Sequence, residues 1–189
     1  MGLCCTLAGP AMVLGQDPAP AKKAFTPAPI APADSMNALL SLLESEVVGA
    51  AEAMPAEKYD FAPSTTIGLY TGVRSFGAQV KHLAESNYEF FDGWGIPGAA
   101  DSKTIEALKS KDDIVKALKD SYVYAHAAVS TITNDNAFMS VPGPAKWKLT
   151  RASMATFALA HSMDHYGQMV EYLRMNGIVP PASRQQGSM

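Results

Sequence analysis

AHSMDHYGQMVEYLRMNGIVPP, Ala160 to Pro181, is the stretch on which the fold turns. It reads as the second half of a long amphipathic helix, closed by Gly177 and followed by Pro180 and Pro181, residues that stop a helix and cannot continue it. Thr150 is a suitable N-cap, so the predicted helix runs from Arg151 to Asn176. Met154, Phe157, Ala158, His161, His165, Gln168 and Tyr172 then fall on one stripe. His161 and His165 lie four residues apart and therefore point the same way from one helical face.

Upstream, the same periodicity recurs. Met36, Leu39, Leu40, Leu42, Leu43, Val47 and Val48 mark a helix capped by Asp34 or Ser35 and ended by Pro55. Phe76, Val80, Leu83, Asn87, Phe90 and Trp94 mark a second, over Val73 to Trp94. After a short turn at Ile105 to Leu108, a third begins at Asp112 or Asp113, with Ile114, Leu118, Ala125, Val129 and Ile132 inward. The connections Pro55–Gly72 and Asp135–Leu149 are rich in Pro, Gly or Thr, and the second is longer than two antiparallel neighbours need. Four long amphipathic helices without a strand run or internal repeat predict an all-α four-helix bundle with long connections.

Composition narrows the partners. The chain has 189 residues, 48% of them hydrophobic, 17% charged, with net charge −3. That suits one domain with a full core and provides no basic footprint for nucleic acid. The two cysteines, Cys4 and Cys5, are adjacent at the N-terminus, so a metal in the body of the chain has only nitrogen and oxygen donors.

Residues 1–15, with the apolar run Gly2–Gly15, read as a signal-peptide remnant, and 16–33 as a Pro/Ala-rich linker; residues 34–181 form the bundle and 182–189 a flexible tail. A periplasmic or secreted location is expected, with cytoplasmic as the alternative; MGLCCT also fits N-terminal acylation. The apolar run is too short for a transmembrane span.

Two imidazoles directed at a core call for a shared partner or for neighbouring carbonyls to satisfy them. His82, about 100° round the second helix from Leu83 and beside Ser75, Gln79 and Ser86, is the natural third donor. Three neutral imidazoles would hold a divalent ion, zinc, nickel or iron, and leave positions open for water or substrate. Ser162 stands where a zinc protease carries its glutamate, so that mechanism is unsupported. His126 lies off the inward stripe and reads as a surface or partly buried residue. Gln168 and Asp164 are candidates to orient ligands or bound water, and Glu85 and Glu89 read as an exposed face.

HLAESNYEF, His82 to Phe90, and HSMDHYGQMVEYLRMNGIVPP, His161 to Pro181, resemble the two signatures of the DinB superfamily, the DinB/YfiT-like metalloenzymes. KYDFAPS, Lys58 to Ser64, is similar to the segment joining that family's first two helices. The resemblance spans about Asp34 to Pro181. It implies a four-helix bundle of unusual connectivity and a divalent metal on His82, His161 and His165. It also implies frequent homodimers and, in characterised relatives, thiol-dependent transfer or isomerisation.

Relatives often carry His-Arg-Gly-Gln where this chain has His165, Tyr166, Gly167 and Gln168, so a cation for an anionic thiol is missing at that position. The expected function is a metal-dependent hydrolase or thiol-dependent transferase acting on an unidentified small molecule. The alternative is a non-catalytic, stress-related bundle that binds metal or ligand.

Overall fold

Six helices organise the described residues, 26–142 and 147–184, of the computed structural model: α1 Pro32–Ala53, α2 Phe76–Phe90, α3 Ser102–Glu106, α4 Lys111–Val129, α5 Arg151–Met175 and α6 Pro181–Arg184. Among these residues there is no strand, only an isolated antiparallel bridge between Ser140 and Thr150. The expected signal remnant, the linker as far as residue 25 and the tail from 185 lie outside the described residues, whereas residues 182–184, expected in the flexible tail, belong to α6. No helix among them is long and apolar enough to cross a membrane.

The four long helices form a ring. α2 packs on α4 and α5, and α1 packs on the same two. Successive long helices α1 and α2 therefore stand on one diagonal and α4 and α5 on the other, and each diagonal needs a long connection. The core at the centre takes Leu40, Val47 and Met54 from α1 and its end, Phe76, Val80 and Leu83 from α2, Leu118 and Tyr122 from α4, and Met169 and Leu173 from α5.

Helix ends follow local chemistry. α5 starts where Thr150 predicts: the Thr150 hydroxyl accepts from the Ser153 N–H at 3.2 Å and the Ser153 hydroxyl from the Thr150 N–H at 2.7 Å, a reciprocal capping box. Its stop is a Schellman motif. Gly177 adopts φ 73°, the Ile178 N–H donates to the Leu173 carbonyl and the Gly177 N–H to that of Arg174, both at 2.9 Å.

Elsewhere the ends move by a few residues. α1 begins at Pro32, ahead of Asp34, because proline suits the first helical position and Asp34 then faces the positive helix end. α2 starts at Phe76 instead of Val73, with the Ser75 hydroxyl accepting from the Ala78 N–H. It ends at Phe90, and Trp94 is buried from the following turn, edge-on to Phe91 with the Arg151 guanidinium 4.4 Å over its ring. α3 lies at Ser102–Glu106, slightly before the expected turn, and Ser110 caps α4 ahead of Asp112. α4 closes at Val129, and Ile132 stays buried from the turn beyond it.

The Pro55–Gly72 connection fixes the start of α2. The Tyr59 hydroxyl donates to the Ala51 carbonyl at 2.7 Å, and its ring meets Phe76 edge-on at 5.4 Å. The first free N–H groups of α2 are taken up by this loop, Phe76 donating to the Phe61 carbonyl at 2.8 Å and Gly77 to that of Tyr59 at 2.7 Å. A Cβ on Gly77 would lie 2.9 Å from Tyr59 Cδ1, so only glycine permits this approach.

Candidate metal centre

α2 and α5 are neighbours in the ring, and their shared seam carries His82 from one and His161 with His165 from the other. The imidazole centroids are 5.1 Å apart for His82 and His161, 4.8 Å for His82 and His165, and 4.5 Å for His161 and His165. One nitrogen from each ring can be chosen so that all three lie within 4.8 Å of one another. The three sequence candidates are thus brought together. His126 is not among them: on α4, its Nδ1 faces the Asn37 side-chain oxygen Oδ1 at 2.7 Å and its Nε2 the Glu44 carboxylate at 3.1 Å.

Electrostatics keep these rings neutral. Burial lowers the pKa of His82 to about 4, helped by the Arg74 charge and by the other two histidines. Burial is also the main cause of lowered values at His161 and His165. At neutral pH each ring therefore keeps a free lone pair, the form a metal requires.

The donor set fits a divalent ion. Zinc bonds to imidazole nitrogen at about 2.0–2.1 Å, which puts tetrahedral donors about 3.4 Å apart, and these nitrogens lie within 4.8 Å of one another. His165, 6% exposed, also has a buried Nδ1 without a hydrogen-bond partner, which a structural histidine would be expected to satisfy.

The surroundings divide into a polar side and an aromatic side. The side-chain amide of buried Gln79 donates to Gln168 Oε1 at 2.6 Å, and Gln168 Nε2 donates to the Asp164 carboxylate at 3.1 Å, so the Gln168 side chain is held from both sides. Ser86, one turn after His82, lies 3.2 Å from His161 Nε2. On the other side Phe90 is edge-on to His161 at 5.1 Å, and Phe157, one turn before His161, packs on Phe90 at 5.2 Å and on Trp147 at 6.0 Å.

Phe157 is 39% exposed, at the rim of the stripe rather than within it. Glu89 is exposed, whereas Glu85 is partly buried and its carboxyl is pushed up by that burial. Sequence periodicity placed Ser75, Gln79 and Ser86 beside His82 but assigned them no role. Phe90 and Phe157 stood on the apolar stripes of their helices, but that they meet each other and Trp147, and that Arg74 lies near the histidines, carried no signal, because it depends on how distant segments pack.

No curated protein matches the chain, whereas the family profile described as the DinB superfamily matches residues 17–169, a span holding all three histidines and Gln168. On that match the chain belongs to the DinB superfamily.

Proposed function

We propose that the chain is a metal-dependent enzyme in which His82, His161 and His165 hold one divalent ion, zinc, nickel or iron. The observation that carries this is the convergence of three neutral imidazole nitrogens within 4.8 Å on two packed helices, a cluster that among the described residues includes no carboxylate or thiol. Such an ion supplies Lewis acidity and draws the pKa of a water or small thiol toward neutrality, which serves hydrolysis and thiol transfer alike.

The protein's own part is placement. Gln168, fixed between Gln79 and Asp164, offers its amide to a reacting group beside His165. The Phe90 and Phe157 rings cover His161 on the opposite side and limit water there. Asp164, three residues past His161 on α5, accepts from the Gln168 amide. Homodimer formation and export belong to the same reading and rest on sequence alone.

The test is a screen of esters, amides and thiol conjugates with protein loaded in turn with zinc, nickel and ferrous iron. Turnover should appear with one of these ions and vanish in His161→Ala together with the bound ion. Turnover that survives removal of the metal contradicts the mechanism. Metal uptake without turnover across the screen would favour a non-catalytic binding role.

A further inference from the structure

A cavity of about 770 Å³ opens beside the histidines, between the loop that ends at Arg74 and the C-terminal half of α5. No imidazole lines it. Gln79 and Gln168, each one turn from a histidine, do, and they are hydrogen-bonded to each other. The volume is that of a small-molecule site, for which about 300–1,000 Å³ is usual.

Two features of the wall select a ligand. Tyr70, Val73 and Met175 are large apolar groups 39%, 39% and 43% exposed, and all three line this concavity. Leaving apolar surface in water costs about 25 cal/mol per Å², a cost that an apolar ligand body removes.

The second feature is Arg74. Its carbonyl accepts from the Tyr172 hydroxyl at 3.2 Å, which pins the residue at the wall. Its guanidinium joins none of the ion pairs formed among the described residues, Lys116–Asp120, Lys119–Glu52 and His126–Glu44. Glu171 shares the wall without pairing to it. Arg74 is exposed, and its positive charge disfavours protonation of all three imidazoles.

We propose that this cavity is the substrate chamber of the three-histidine site and that it takes a small amphipathic anion, with the anionic group on Arg74 and the apolar body against Tyr70, Val73 and Met175. The term substrate rests on the proposed metal-dependent reaction, whereas binding of the anion needs no metal.

The experiment uses 4-phenylbutyrate and 4-phenylbutan-1-ol, which share an apolar body and differ in charge. Their binding to the metal-free full chain is measured by titration calorimetry at low ionic strength. The acid should bind about fivefold more tightly, the gain expected of a partly exposed charge pair. Arg74→Gln should remove that preference, Arg74→Lys should keep part of it, and Tyr70→Ala should weaken both probes alike. Equal affinities in the wild type, absence of binding, a preference that persists in Arg74→Gln, or a Tyr70→Ala that binds both probes undiminished overturns the proposal. Because no metal is present, the outcome is independent of whether the histidines bind an ion.

Discussion

At the scale of the residue, His82 is defined by what surrounds its ring: burial, the Arg74 guanidinium and two further imidazoles, all of which oppose its protonation. An unfolded chain takes up a proton on histidine near pH 6.5, whereas folded, metal-free protein does so at His82 only near pH 4. Between those values the unfolded state holds more protons, so stability present above pH 6.5 is lost as the pH falls toward 4.

Thermal unfolding of metal-free protein should show Tm falling across that window, with a shallower fall in His82→Asn. A Tm that is flat or rises on acidification contradicts the environment described. The pairing of His161 with His165 was legible from spacing, because residues four apart share a helical face. Arg74 was not, since it stands outside a helix, in the turn region before α2, where no periodicity assigns it a face.

At the scale of the element, α2 has to start at the right residue for His82 to reach the seam. Ser75 caps it, and the Tyr59 carbonyl accepts from Gly77, which packs so close that a Cβ would lie 3.2 Å from that carbonyl and 2.9 Å from the Tyr59 ring. Alanine would otherwise favour the helix by up to about 1 kcal/mol over glycine. Here the Tyr59 ring is buried and edge-on to Phe76, so overpacking outweighs that gain.

Gly77→Ala should therefore destabilise the fold by about 1–2 kcal/mol, read as a lower denaturation midpoint; an unchanged or higher midpoint contradicts the contact. The inward stripe of α2 was plain in the sequence, but its ends were not. Val73 and Trp94 continue the apolar period at either side, and the serine cap and the turn at Gly93, φ 76°, set the limits instead.

At the scale of the whole molecule, the ring places α2 beside α5 and sends both long connections across its diagonals. The four long helices and the excess length of the connection before Leu149 could be inferred from periodicity and proline content, whereas α6 could not. Which helices are neighbours could not, because an amphipathic stripe shows that a face is buried and not what buries it. The exposed Leu39 and Leu42 on α1 make the same point, since both belong to its apolar pattern and neither enters the core.

That neighbour relation is what makes one site of His82, His161 and His165, and titration of metal-free protein with zinc tests it most directly. The wild type should take up one equivalent per chain, His82→Ala, His161→Ala and His165→Ala should each lower the affinity by about tenfold or more, and His126→Ala should bind as the wild type does. Uptake below about a tenth of an equivalent in the wild type, or loss in His126→Ala equal to that in the other three, would contradict the account.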